Sequence, residues 1–425
     1  QAPAGEAPLT LAHLMSHRTG WDDTYVMFLP EVDASDPIDA LTQAQPAQIH
    51  PRGGATAYSN FGSVIAAKVV ADVTGRAFSD VIYEDILQPL GMEDTTYLEA
   101  DRTPDQPPLA RSYTEDAGFL TDGFRLDSGA FAAAGSMAST ADDMARWMRF
   151  HLNGGALAGV RLLQPATHAR MQERLFPGRE AGADMAHGFM SRPYRDQYLW
   201  GHGGAWNEFL SNMQIAQPLG LGVFVSQSGT FAGAFERLPD LVFDHALDRD
   251  PINAPPADAI TLEEAALSQY AGRYVSNRRE ATGFERLFGA FSTLSVSAAE
   301  EGGLVVASGG EADRFWPVAE DVFENRRRDR LVFQRDEDGD VVRIADSSGT
   351  NSFETMERSA DINLLGLALA AATIFAATTW LGLWRRMGRG GAVTLRGRLV
   401  SILDLVAATL VFAFLGAAVF TASVL

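Results

Sequence analysis

A proline-dense stretch, Asp250–Pro256, divides the chain into two parts with different patterns. It holds three prolines in seven residues, and proline at this density stiffens the backbone and forbids a continuing helix. After it, short runs such as Leu304–Ala307 and Val341–Ile344 are separated by turns, which is typical of β-strands. We therefore predict a larger mixed domain over residues 1–249, a proline-rich linker over 250–258 and a small all-β domain over 259–357.

The charge and the reactive residues exclude several classes of function. The formal net charge is −20 at pH 7, which argues against a nucleic-acid partner because phosphate binding needs a basic surface. The sequence has no cysteine, so disulfides, thiolate metal sites and cysteine nucleophiles are excluded. Its single lysine, Lys68, lies in the middle of a predicted helix, and we interpret it as a solvated side chain. No metal or organic cofactor is implied.

Two long apolar runs near the end of the chain predict membrane helices. Ile362–Trp384 has no charged residue and is long enough to span a bilayer, and residues 399–425 form a second run. Asp404 interrupts the second run, either as a buried functional carboxylate or as a residue near the interface. The segment 385–398 carries arginines and no acidic residue, so the positive-inside rule places it in the cytoplasm and the preceding domains on the outer side. Since the chain starts without methionine and ends inside an apolar run, we interpret it as a fragment.

The first 249 residues contain recognisable helix and strand signals. Residues 100–132 show no clear period, so we predict irregular structure there. The predicted helices begin after the caps Thr10 and Thr140, run from Phe61 to Gly75 and from Phe78 to Leu87 with a stop at Pro89 and Gly91, and return at Phe231–Leu247. The predicted antiparallel strands are Tyr198–His202, Phe209–Ala216 and Leu221–Gln227.

A polar triplet, Tyr58-Ser59-Asn60, ends a glycine-rich loop and opens the helix that runs to Gly75. It places a proton carrier and hydrogen-bond donors at a helix N-terminus, where the helix dipole favours developing negative charge. Such a setting suits acyl-transfer chemistry. The alternative is that Ser59 or Asn60 only caps the helix.

The strand edge Trp200–Asn207 forms the second half of the predicted site. Gly203 and Gly204 allow close approach of a ligand to the backbone, and the N–H of Ala205 is a candidate donor to an oxyanion. His202 suits proton relay near neutral pH or donation to a substrate carboxylate. The alternative is a strand-end histidine that bonds a neighbouring loop.

Together these segments resemble the serine β-lactamase and penicillin-binding-protein superfamily, in the branch with class C β-lactamases, D-stereospecific peptidases and related esterases. The resemblance covers Leu9 to about Leu247 and implies an α/β (α+β) β-lactamase/transpeptidase-like fold, with an antiparallel sheet and a helical subdomain. The segments that carry it are Leu9–Gly20, Tyr58-Ser59-Asn60 as the second motif, Gln88–Met92, Ala134–Thr140 and His202-Gly203-Gly204 as the third motif.

The resemblance also implies roles for single residues. Tyr58 would carry the proton between nucleophile and leaving group, and Asn60 would hydrogen-bond the substrate. His202 would stand where many relatives have lysine, and the Ala205 N–H would donate in the oxyanion hole. The remaining substrate-binding positions are Ser59, Gly203, Gly204, Trp206 and Asn207.

Two departures from the family pattern shape the functional hypothesis. No Ser-x-x-Lys motif occurs in these residues, so the nucleophile is expected in another part of the parent protein and the fragment is expected to be inactive. Histidine in place of the third-motif lysine favours an ester or a peptide or D-amino-acid amide over a β-lactam, because histidine is mostly neutral at pH 7. We predict a serine hydrolase anchored in a bacterial inner membrane with its site in the periplasm. The alternatives are a non-catalytic module that binds cell-wall peptide, and ligand binding by the β-domain itself.

Overall fold

The computed structural model describes most of the chain before residue 357. The described residues are 8–23, 45–98, 101–116, 119–122, 131–176, 184–206, 209–229, 234–250, 254–282, 292–299, 302–347 and 349–356. Those up to 282 and from 293 to 355 belong to one compact unit. The predicted membrane helices 362–384 and 399–425 and the basic loop 385–398 lie outside the described residues. Among the residues that are described, no helix is long and apolar enough to cross a bilayer.

The described residues before 250 form short helices, two two-stranded sheets and one five-stranded sheet. The helices are α1 (Leu11–Met15), α2 (Asn60–Thr74), α3 (Phe78–Ile82), α4 (Gln88–Leu90), α5 (Ala132–Gly135), α6 (Ala141–Leu152), α7 (Pro165–Met171) and α8 (Ala234–Ala246). The strands are β1 (Tyr113–Asp116), β2 (Phe119–Asp122), β3 (Ala156–Leu157), β4 (Val160–Arg161), β5 (Asp184–Met185), β6 (Met190–Tyr194), β7 (Gln197–Trp206), β8 (Phe209–Ala216) and β9 (Leu221–Ser228).

Helix α2, which follows the Tyr58 triplet, has the ends that the sequence predicts. The Ser59 side chain accepts a hydrogen bond from the Gly62 N–H at 3.1 Å, so it satisfies one of the donors left open at the helix start. The helix ends at Gly75, which adopts the left-handed conformation with φ 65° that glycine tolerates best. Its buried side includes Phe61 and Val64, which pack with Leu14 of α1. This packing holds the first turn of α2, and with it the triplet, against α1.

Two local expectations were wrong. Pro89 does not stop the second helix: a π-helical turn, Tyr83–Leu87, leads into α4, and Pro89 lies in the first turn of this short helix. The helix ends at Gly91, with φ 65°. Within the segment expected to be irregular, β1 and β2 pair as an antiparallel hairpin. This pairing is local, and its short strands lack the apolar alternation that would have predicted it.

Five antiparallel strands form the central sheet, in the order β5-β6-β7-β8-β9. The predicted pairing of the three longest strands is confirmed, since β8 pairs with β7 on one side and β9 on the other. Strand β6 pairs with β7 only as far as Gly201. Residues 202–206 of β7 therefore have a strand partner on one side only, within the part of the chain that the structure describes.

The residues after the proline-dense stretch form a closed eight-stranded antiparallel barrel, preceded by a short helix, α9 (Glu264–Leu267). Its strands are β10 (Gly272–Ser276), β11 (Thr293–Ala298), β12 (Leu304–Ser308), β13 (Glu311–Ala319), β14 (Val322–Glu324), β15 (Arg330–Arg335), β16 (Val341–Asp346) and β17 (Ser352–Thr355). Buried aromatic side chains pack together in its core, among them Tyr270, Tyr274, Phe323 and Phe333. An eight-stranded barrel is just wide enough for side chains to fill it. The all-β character is as predicted, and the boundaries at 249 and 259 stay predictions.

The barrel is joined to the segment that leads into Tyr58. The hydroxyl of Ser352 donates to the backbone oxygen of Thr56 at 2.8 Å, and Asn351 forms an antiparallel bridge with Ala57. The buried Asp22 carboxylate also accepts the N–H groups of two residues that follow strand β10. The distances are 2.7 Å from Ala281 and 2.9 Å from Thr282. The barrel therefore contacts the backbone on which the predicted site is built.

Candidate functional site

His17 holds the backbone around Tyr58. Its carbonyl oxygen accepts the Ala57 N–H at 2.9 Å, and its Nδ1 accepts the Ser59 N–H at 3.1 Å. Since Nδ1 is an acceptor, the neutral ring carries its proton on Nε2. His17 has φ 54°, a left-handed conformation that a non-glycine residue adopts only where its surroundings impose it. The turn after α1 thus directs the His17 imidazole toward the backbone N–H of Ser59.

Three side chains from different parts of the chain surround the Tyr58 ring. The His17 ring lies with its centroid 3.9 Å from the Tyr58 centroid, tilted by 31°. The His202 ring of β7 lies 5.9 Å away. The guanidinium carbon of Arg278, from the turn after β10, lies 4.8 Å from the ring centroid. The structure therefore brings the second motif and the third motif together, as the resemblance implies.

Burial sets the protonation states in this cluster. It raises the pKa of the Tyr58 phenol, and the nearby Arg278 charge acts in the opposite direction. Burial also lowers the pKa of His17 to about 3, with further lowering by His202 and Arg278. The pKa of His202 is lowered by burial as well, against a hydrogen bond with the Gly203 carbonyl. At neutral pH the cluster therefore consists of a phenol, two neutral imidazoles and one guanidinium.

The other residues of the triplet have different surroundings. Asn60 is the first residue of α2 and is half-buried. Ser59 is buried and its hydroxyl oxygen caps the helix, which is the alternative that the sequence left open for it. Its contact with substrate stays a prediction, as does the hydrogen bond assigned to Asn60.

The third-motif residues lie on the half of β7 that pairs only with β8. Gly203 is opposite Asn212, and Ala205 is opposite Leu210. Gly204 and Ala205 are exposed to solvent, so their backbone is accessible to a ligand. Trp206 is half-buried at the end of the strand, and Asn207 lies outside the described residues. The oxyanion role of Ala205 and the substrate roles of its neighbours stay predictions.

Sequence reasoning missed two members of the cluster. His17 lies inside the matching segment Leu9–Gly20, but nothing in that segment distinguishes it from His13 as the imidazole that reaches Tyr58. Arg278 has no local signal, because its position depends on how the barrel packs against the rest of the unit. Its neighbour Arg279 is equally basic and is one residue away.

The low pKa of His17 predicts a stability that falls on acidification. The unfolded chain binds a proton on this imidazole below its ordinary pKa of 6.5, whereas the folded chain does so only near 3. Protons therefore favour the unfolded state in this window, by up to about 1.4 kcal/mol per pH unit for one such group. We expect His17→Gln to reduce the pH slope of the unfolding free energy between pH 6.5 and about 5. Urea unfolding over this range measures the slope, and an unchanged slope in the variant would contradict the assignment.

Comparison with known proteins identifies the family of the chain. The family model named Beta-lactamase matches residues 1–246. The D-alanyl-D-alanine-carboxypeptidase/endopeptidase AmpH of Escherichia coli (strain K12) is 26% identical over 204 residues, which is 45% of this chain and 50% of that protein. Penicillin-binding protein 4 of Amycolatopsis lactamdurans is 24% identical over 285 residues, which is 63% of this chain and 71% of that protein.

A solved structure shows the same fold over a larger part of the chain. The crystal structure of SurE aligns with a TM-score of 0.55 and 21% identity, covering 82% of this chain and 78% of that one. At this identity the likeness concerns the fold alone. The chain spans about half the length of the Escherichia coli relative that it matches. The resemblance inferred from the motifs is confirmed, because the family match covers more than half of the sequence: this chain belongs to the β-lactamase family.

Proposed function

We propose that the protein is a serine hydrolase that acts through an acyl-enzyme on an ester or on a peptide or D-amino-acid amide. The observation that carries the proposal is the contact of Tyr58 with His202, which joins a proton carrier to the accessible edge of β7. Family membership supports hydrolase chemistry in general. The reaction and its substrate class are inferred from the side chains of the cluster.

The chemistry needs a serine that these residues do not provide in a Ser-x-x-Lys motif. In the proposal, another segment of the parent protein supplies it. The phenolate form of Tyr58, which the nearby Arg278 charge favours, takes the serine proton as the serine oxygen attacks the carbonyl carbon. The phenol so formed then protonates the leaving alcohol or amine as the carbonyl bond to it breaks, which restores the phenolate. The tetrahedral oxyanion would accept a hydrogen bond from the Ala205 N–H. Water then attacks the acyl-enzyme, which releases the acid and restores the serine.

The neutral His202 supports the choice of substrate class. Burial lowers its pKa, so at pH 7 it offers a hydrogen bond but no fixed positive charge to a β-lactam carboxylate. The Escherichia coli relative is named a D-alanyl-D-alanine carboxypeptidase and endopeptidase. An amide that follows a D-amino acid is therefore the first substrate to test, with simple esters second.

Membrane anchoring is a second part of the proposal. It rests on the two apolar runs 362–384 and 399–425 and on the arginine-rich segment between them. This arrangement would hold the site on the periplasmic side of a bacterial inner membrane. Cell-wall peptide would then be the peptide substrate within reach.

The test uses the full-length protein from the parent reading frame, purified with its membrane segments. Release of D-alanine from a D-alanyl-D-alanine peptide, hydrolysis of a p-nitrophenyl ester and turnover of a chromogenic β-lactam are measured side by side. We expect the peptide or the ester to be hydrolysed at least about tenfold more efficiently than the β-lactam, since one missing charged contact is worth roughly 1.4 kcal/mol or more. Binding of the peptide without hydrolysis of any substrate would contradict the proposal and favour a non-catalytic module that binds cell-wall peptide.

A further inference from the structure

The barrel contributes a positive charge to the cluster around Tyr58. The guanidinium carbon of Arg278 lies 4.8 Å from the centroid of the Tyr58 ring, within the range in which a cation is attracted to an aromatic face. The same charge favours the ionised phenol over the neutral one, because opposite charges within a few ångströms stabilise each other. Arg278 is therefore placed to act on the proton that Tyr58 carries.

Two aspartates of the segment after α1 hold the turn that bears Arg278. The Asp22 carboxylate accepts the N–H groups of Ala281 and Thr282, and Asp22 is only 3% exposed. The Asp23 carboxylate lies 3.5 Å from Nε of Arg278, and the Asp23 N–H donates to the Arg279 carbonyl at 3.3 Å. The segment after α1 and the turn after β10 of the barrel thus fix the position of this guanidinium together.

Among the described groups around the Tyr58 ring, Arg278 supplies the positive charge. His17 and His202 face Tyr58 from the turn after α1 and from β7, and burial lowers the pKa of both. Asp23 pairs with Arg278 and so moderates its effect. Among the described residues that contact the ring, Arg278 is the one that is cationic at neutral pH.

We propose that Arg278 is a positioning residue for proton transfer by Tyr58, and that the barrel which carries it is an integral part of the hydrolase site. The proposal rests on the function proposed above and extends it. Histidine stands in the third motif where many relatives have a cationic lysine. Arg278 supplies positive charge to the cluster around Tyr58 from a part of the chain outside the matched residues 1–246.

The first test reads the ionisation of residue 58 directly, without relying on activity. Difluorotyrosine is placed at position 58 of the full-length protein by codon reassignment, because its more acidic phenol titrates before alkaline unfolding, and fluorine NMR follows its ionisation. We expect Arg278→Gln to move the midpoint to higher pH and Arg278→Lys to retain most of the wild-type midpoint. Asp23→Asn is expected to move it to lower pH, because the arginine charge is then no longer balanced. Arg326→Gln, an exposed barrel arginine beside Trp316, is the matched control and is expected to leave it unchanged.

The second test is the pH profile of ester hydrolysis by the same variants. Arg278→Gln is expected to lower kcat by about tenfold with little change in KM, and to shift the acidic limb of the profile to higher pH. An unmoved fluorine midpoint in both Arg278→Gln and Asp23→Asn would overturn the proposal. So would a rise in KM with kcat intact, because it would make Arg278 a substrate-binding residue. If the midpoint shifts but the wild-type protein hydrolyses nothing, the effect of Arg278 on the ionisation of Tyr58 stands, and the hydrolase function fails together with the role in proton transfer.

Discussion

Tyr58→Phe in the full-length protein is expected to lower kcat for ester or peptide hydrolysis by about 10²–10⁴-fold, the range that one positioned acid–base group contributes. Phenylalanine keeps the ring that packs against His17 at 3.9 Å and removes the hydroxyl that the proposed mechanism uses for proton transfer. The fold should therefore be preserved while proton transfer is lost. Steady-state kinetics together with thermal unfolding of both proteins measures the two effects separately.

Tyr83→Phe is the matched control for this change. Its hydroxyl accepts the Tyr97 N–H at 3.0 Å and lies 3.1 Å from an Asp101 carboxylate oxygen, contacts that lie outside the Tyr58 cluster. This variant is expected to lose some stability and to keep its kcat. If Tyr58→Phe and Tyr83→Phe had the same kcat as the wild-type protein, Tyr58 would have no role in proton transfer.

Gly201→Ala is expected to destabilise the central sheet by about 3 kcal/mol, at the upper end of the cost of overpacking a well-packed site. A Cβ atom at this position would overlap the backbone carbonyl of Met213 on the paired strand β8, and backbone cannot move aside as a flexible side chain can. Strands β7 and β8 would have to separate next to His202. Chemical denaturation of the full chain measures the loss.

Gly203→Ala provides the comparison within the same strand. Its Cβ would meet only the Ser211 carbonyl oxygen, at an ordinary contact distance of 3.6 Å. We expect its unfolding free energy to stay within about 0.5 kcal/mol of the wild-type value. Equal stability of the two variants would show that the close approach of β7 and β8 at Gly201 does not constrain the sheet.

Local signals were sufficient for the elements that carry the two motifs. Helix α2 is bounded by a serine cap and a left-handed glycine, and both ends can be read from residue type because they satisfy backbone groups within one turn. The three long strands follow from alternation and from the glycines between them. Strand β7 includes His202, and Tyr58 directly precedes the serine cap of α2, so half of the cluster could be predicted.

The other half depends on contacts between distant parts of the chain. Arg278 lies beside Tyr58 in a part of the chain that hydrogen bonds to Asp22 and from Ser352 to Thr56 join to the first residues, and no pattern of spacing encodes these pairings. The closure of eight strands into a barrel is likewise a property of the register between β10 and β17. The alternation of residues in each strand predicts that a strand exists and not which strand it pairs with.

The central claim, an activated serine in the cleft of Tyr58, is tested most directly by labelling the full-length protein in membranes with a fluorescent fluorophosphonate. The account predicts one label per chain on a serine that mass spectrometry places in a Ser-x-x-Lys segment of the parent protein, and a marked loss of labelling in Tyr58→Phe. Absence of labelling in the wild-type protein, or equal labelling of Tyr58→Phe, would contradict it.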